Sequence, residues 1–182
     1  MKKIVFFTVL LSINATGITH CDNHLNNLTK SIDVAKDSTR LAELNNYWKE
    51  LSRTVREGDF EGYKATYHED AVVIFATGEN KMSTAIASAL DGWKQGFIDT
   101  KSGEVKSDVN FRLSQRIGDA TTVHETGIFH YTSINSDCKE LANQLIHFEM
   151  LLVNKNGKWL AVMEYQKSVA NQEEWNVMEK LE

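Results

Sequence analysis

The chain has 182 residues, of which 42% are hydrophobic and 25% charged, the balance of a soluble globular protein large enough for one core or a core with a cavity. A formal net charge of −5, with lysines dispersed rather than clustered, argues against nucleic acid and against an anionic membrane surface as partners. There is no proline, so turns must rest on Gly, Asn and Asp.

The opening "MKKIVFFTVLLSINATG" places Lys2 and Lys3 before an apolar run from Ile4 to Ile13, followed by the small residues Ala15 and Gly17. That order predicts a secretory signal peptide over residues 1–17, and hence a periplasmic or secreted protein. The apolar run is far shorter than the roughly 20 residues of a membrane span. A lipoprotein acylated at Cys21 is the rival: Ile18 and Thr19 suit the signal, whereas His20 fills a slot that wants a small residue. Residues 18–37 are polar, without clear amphipathic period, and read as a linker. Asn27-Leu28-Thr29 would accept a glycan only in a eukaryotic host. Cys21 and Cys138 are the two cysteines, and whether they pair is left open. No Cys/His spacing resembles a zinc site, and no metal or cofactor is expected.

From residue 38 the pattern sharpens. Leu41, Leu44, Trp48, Leu51 and Val55 recur at helical spacing, and Gly58 supplies a left-handed stop. Asp59 caps a second, shorter helix running to His68, with Phe60, Tyr63 and Tyr67 on one side. "AVVIF", 71–75, reads as a buried strand. After a turn at residues 77–80, Ile86, Leu90, Trp93 and Phe97 mark a third helix, with Gly92 and Gly96 beside the stripe to admit another backbone and Gly103 to end it.

The remainder reads as strands. Val105, Ser107, Val109, Phe111, Leu113 and Ile117 alternate with polar residues, and Gly118-Asp119 turns into "ATTVHETGIFHYTSI". "NQLIHFEMLLV" and "KWLAVMEYQKSV" follow, joined by a turn at 154–157. In the tail, residues 169–182, Trp175, Met178 and Leu181 share a helical face that must dock on the body or on a second chain. The predicted class is α+β: three N-terminal helices packed on a strongly curved antiparallel sheet.

The stretch from Trp48 through "GDFEGYKATYHEDAVVI" resembles the opening of a nuclear-transport-factor-2-like (SnoaL-like) domain, and "VNKNGKWLAVMEYQKS" resembles its closing hairpin. The resemblance spans residues 38–168. It implies a cone in which the curved sheet wraps the helices and a pocket opens between them, with Tyr63 and Tyr67 at the mouth. Phe75, Trp93 and Phe97 are candidate wall residues, each equally readable as plain core. Ketosteroid isomerases of this fold carry a catalytic aspartate at the position held here by Phe75, so that chemistry is not implied.

Polar residues on strands need partners or a ligand when buried. Glu164 shares a parity with Leu160, Val162 and Gln166, and falls where epoxide hydrolases resembling this fold place a pocket acid. His124, with Thr126 on its parity, would face the same pocket, so Glu164 and His124 form a candidate acid–base pair. The bland reading is a salt-bridged pair on the sheet's other face. His147 and Glu149, alternating with Phe148 and Met150, read as an interface, which leaves Met150 and Gln166 as further pocket candidates. No nucleophile elbow, phosphate loop or acidic metal cluster is found. The expected function is an exported domain holding a small apolar or aromatic ligand. The alternatives are a cofactor-free isomerase, dehydratase or cyclase using Glu164 and His124, or a structural dimerisation module. A homodimer is expected because the last strands are apolar on both parities.

Overall fold

A computed structural model describes residues 19–181, the first eighteen of them by backbone alone. The predicted signal peptide, and the side chain of Cys21, lie outside the described residues.

Helix α1 (Thr19–Glu57) begins inside the segment read as a linker and takes in residues 19–37 of it. Residues 37–182 form a compact unit of their own, and the site lies within it. In this unit α1 buries Leu44, Trp48 and Leu51, the face set by their spacing of three and four. It ends in a Schellman motif: Gly58 takes φ 64°, and the Asp59 N–H reaches back to the Thr54 carbonyl at 2.8 Å. A Cβ at Gly58 would lie 2.5 Å from the backbone of Phe97 and of Lys101, so this glycine is demanded twice.

Asp59 then caps α2 (Phe60–Lys64), its carboxylate accepting from the Gly62 N–H at 2.9 Å. This helix is shorter than its sequence suggests. Tyr67 and His68, expected on its last turn, already belong to strand β1 (Tyr67–Phe75). As neighbours on a strand they point to opposite faces of the sheet. A short strand β2 (Met82–Ala85), not foreseen, pairs antiparallel with β1 and leads directly into α3 (Ile86–Ser102). The expected set of three N-terminal helices is thus corrected: two precede the sheet and the third follows its first hairpin. Gly103, at φ 85°, ends α3.

Strands β3 (Val105–Gly118), β4 (Thr122–Asn135), β5 (Glu140–Lys155) and β6 (Lys158–Val169) form the meander, and the sheet order is β2-β1-β6-β5-β4-β3. All neighbours are antiparallel except β1 and β6, which run parallel and correct the all-antiparallel expectation. Three irregularities decide which residues face inward. Opposite Leu113–Gln115, the partner strand advances only from Gly127 to Thr126, so Ser114 is extra. Arg116 consequently turns inward and Ile117 outward, against the plain alternation read from the sequence. Val162 is likewise extra between Ala161, opposite Leu152, and Met163, opposite Leu151. Glu164 is thereby moved onto the buried face of Trp159 and Ala161, not that of Leu160 and Val162. Lys167 is the third extra residue, between Gln166, opposite Phe148, and Ser168, opposite His147.

The tail forms α4 (Gln172–Val177) with a capping box between Asn171 and Glu174. Its Trp175 is buried against Ile128 and Ala170, and the Arg112 guanidinium stacks on the indole at 4.2 Å. Trp175 and Met178 of the tail therefore dock on the outer face of this chain's own sheet, whereas Leu181 packs against the main core.

Candidate functional site

A cavity of about 380 Å³ lies between the concave face of the sheet and the helices. Leu51 and Val55 of α1, Tyr63 of α2, and Trp93 and Phe97 of α3 form one side. Val109, Phe111, Phe129, Phe148 and Met150 on β3, β4 and β5 form the other. Aromatic rings contact one another in series along this lining: Tyr63 meets Trp93 at 5.8 Å and Phe97 at 4.9 Å, and Phe111 meets Phe148 at 5.8 Å. Gly92 and Gly96 also border the cavity, and a Cβ at either would meet nothing within 4 Å. The expectation that they admit another backbone is corrected: what lies beside them is open space.

Two polar poles interrupt this wall. At the first, Glu164 projects from β6 and is 6% exposed. The Tyr67 hydroxyl donates to its Oε2 at 2.5 Å and Gln166 Nε2 donates to its Oε1 at 2.8 Å. The Tyr63 hydroxyl stands 3.1 Å from that of Tyr67, which extends the chain of hydroxyls to α2. Burial raises the Glu164 carboxyl above the usual carboxylate range, and the two donors only partly offset it. Burial, reinforced by the nearby Glu164, likewise raises the Tyr63 and Tyr67 hydroxyls, which therefore stay protonated as donors. At the second pole, Ser107 Oγ lies 2.9 Å from Thr100 Oγ1 and 3.4 Å from the Tyr131 hydroxyl, with Gln144 beside them in the lining.

Six expected pocket residues, Tyr63, Tyr67, Trp93, Phe97, Met150 and Gln166, line the cavity together with Glu164. Phe75 does not reach it but stands behind Trp93, ring centroids 6.1 Å apart, as support. His124 and Thr126 are corrected. The inward parity of β4 is that of Val123, Glu125, Phe129 and Tyr131, so the even-numbered residues face out. His124 Nε2 lies 3.3 Å from Glu149, which also takes Lys167 at 2.9 Å, and Thr126 Oγ1 bonds Ser114 Oγ at 2.9 Å. His147 meets Glu174 of α4 at 3.3 Å, so its outward face serves the tail of the same chain.

The second buried acid is Glu125, which the sequence reading passed over. It is fully buried, accepts from Trp48 Nε1 at 2.5 Å, and is ion-paired with Arg116, whose Nη1 also reaches Asn45 Oδ1 at 2.6 Å. Val123, Phe129 and Tyr131 on its parity were the available signal. Tyr131 and Gln144 were missed because hydroxyl and amide residues at alternating positions resemble any exposed strand face, and Ser107, although placed on the apolar parity of its strand, carried no further signal. On the outer face, His68 is engaged by Lys155 Nζ at 2.5 Å and by the Asp70 N–H at 3.2 Å.

No protein-family model matches the sequence, and no curated protein sequence matches it. Solved structures do resemble the fold. The β subunit of benzoate 1,2-dioxygenase from Burkholderia mallei aligns with TM-score 0.58 at 13% identity, covering 72% of this chain and 91% of that one. A conserved protein from Planctomyces limnophilus gives TM-score 0.56 at 11% identity, over 71% and 94% of the two chains. An NTF2-like protein of unknown function from Shewanella oneidensis gives 0.53 at 14% identity, over 70% and 98%. The fold is therefore NTF2-like. At such identities the likeness extends to fold alone.

Proposed function

We propose that this chain is a binding domain for a small, largely aromatic or alicyclic ligand held in the cone. One observation carries the reading: a cavity of about 380 Å³, within the roughly 300–1,000 Å³ common for small-molecule sites, whose apolar wall encloses one buried, hydrogen-bonded carboxyl. Tyr63, Trp93, Phe97 and Met150 supply the contact area, and Glu164, Gln166 and Tyr67 supply direction. Native mass spectrometry of protein purified gently from its host is the test. The expected result is an adduct lost on denaturation, and lost or diminished when Phe97→Trp narrows the cavity. An adduct-free protein that also binds no member of an aromatic fragment library would overturn the reading.

A second reading, proton-transfer catalysis of the isomerase, dehydratase or cyclase kind, is favoured by the raised proton affinity of Glu164 beside the Tyr67 hydroxyl. With His124 on the outer face, one carboxyl would have to serve as both acid and base. Export remains our proposal from the signal-peptide pattern of residues 1–17, to be checked by sequencing the N-terminus of protein from the native host. A homodimer is proposed as well, through the outer sheet face.

A further inference from the structure

The pole at Glu164 is incomplete in one specific way. Glu164 accepts one hydrogen bond on each oxygen, from Tyr67 and from Gln166, and an ionised carboxylate offers about four acceptor sites. Both donors are neutral. Among the described residues that line the cavity there is no Lys, Arg or His. The titratable groups facing Glu164 are tyrosines, Tyr47 from α1, Tyr63 from α2 and Tyr67 from β1. Each is held protonated by burial, so none supplies a positive charge. The rings of Tyr67 and Tyr63 stand at this pole, 5.5 Å apart, and that of Trp93 follows along the cavity wall 5.8 Å from Tyr63. Aromatic faces and a carboxylate oxygen with spare lone pairs both favour a cation. Neither favours an anion.

Resting on the binding reading above, we propose that the ligand is a primary or secondary amine on an aromatic body, bound as its ammonium against Glu164 with the rings enclosing it. The ammonium is then the missing counter-ion: it would donate to the free lone pairs of Oε1 and Oε2 while Tyr67 and Gln166 keep their bonds. A buried carboxyl with hydrogen-bond donors but no cation is costly to ionise, and an arriving cation removes that cost. Ionisation of Glu164 on binding requires that its proton leave for solvent.

The test uses the full chain and isothermal calorimetry with matched triplets of amine, alcohol and carboxylate on phenyl, naphthyl and indolyl bodies, tryptamine, tryptophol and indole-3-acetate among them. The amine should bind at least about tenfold tighter than its alcohol, and the carboxylate most weakly. At a pH low enough for Glu164 to hold its proton in the free chain, amine binding should release protons, seen as a heat that varies with the buffer's ionisation enthalpy, whereas alcohol binding should not. Glu164→Gln, which keeps the shape, should bring amine and alcohol within about threefold of each other. If this variant fails to fold, proton release by the native chain still decides. Alcohols binding as tightly as amines, or a preference that survives Glu164→Gln, would overturn the amine assignment and leave the binding reading standing. Failure of every triplet member to bind at millimolar concentration would overturn both.

Discussion

Glu164 and Glu125 are both buried carboxyls on the concave face, yet their surroundings give them opposite parts. Glu125 is fully buried and directly ion-paired with Arg116, with Trp48 Nε1 as a second donor. Removing the cation by Arg116→Met should destabilise the fold by about 3–5 kcal/mol, because an uncompensated charge stays buried. The double variant Arg116→Met with Glu125→Gln should recover much of that, as urea unfolding would show; equal loss in both would refute the pairing. Glu164 has no cation, and burial raises its proton affinity above that of the unfolded chain. The native state therefore holds the proton more tightly, so the contribution of this group to stability is fully present at low pH and is lost as pH climbs from the ordinary carboxyl range through the raised value. Glu164→Gln does not titrate, so the melting temperature of this variant minus that of the native chain should grow as pH rises above about 4. A difference independent of pH would show that Glu164 ionises as freely when folded as when unfolded. At this scale the sequence was legible in residue type but not in direction. A buried acid on the last strand could be anticipated, but its facing depends on the extra residue Val162, and His124 was misplaced by a parity that Phe129 and Tyr131 contradict.

Elements were read more faithfully than single residues, because a periodic stripe averages over many side chains. The faces of α1 and α3 follow from spacing alone, and Gly58 and Gly103 end them as left-handed residues should. Where elements are short the signal failed: β2 has four residues, and α2 has five before the chain straightens at Tyr67. Hydrophobic alternation also could not reveal the bulge at Ser114, since one extra residue leaves both flanking runs regular. The glycines of α3 show how a misread detail points to function. Glycine inside a helix costs about 1 kcal/mol relative to alanine, and no packed neighbour at Gly92 or Gly96 requires it. What they preserve is room at the cavity. Gly92→Ala and Gly96→Ala should each raise stability by up to about 1 kcal/mol in thermal melts, while a bulky Gly96→Phe should abolish ligand capture without unfolding the chain. A Gly96→Phe variant that still yields the native adduct would remove α3 from the binding wall.

On the scale of the compact unit formed by residues 37–182, the α+β class and the curved sheet followed from two helices, a strand, a helix and a meander in that order. The parallel β1–β6 contact did not, because strand order leaves no mark on local periodicity. The apolar character of both sheet faces was legible, and it sets the last prediction. The inner face is covered by helices, and part of the outer face by α4, where Trp175 is buried on Ile128. Elsewhere on the outer face, Val72, Met163 and Leu151 are register neighbours across β1, β6 and β5. The row continues through His124 to Ile117, and Val72, Leu151 and Ile117 are 37%, 36% and 55% exposed. A run of exposed apolar side chains across the strands of a sheet is most stable when covered. A second copy can cover it isologously, Leu151 against its own counterpart, with the His124–Glu149–Lys167 cluster at the edge. Light scattering at tens of micromolar should then give about twice the mass of the single chain, and Leu151→Asp with Met163→Asp should return a monomer of unchanged circular dichroism. A native chain that stays monomeric at that concentration, or a double variant that remains dimeric, would place the outer face outside any interface between copies.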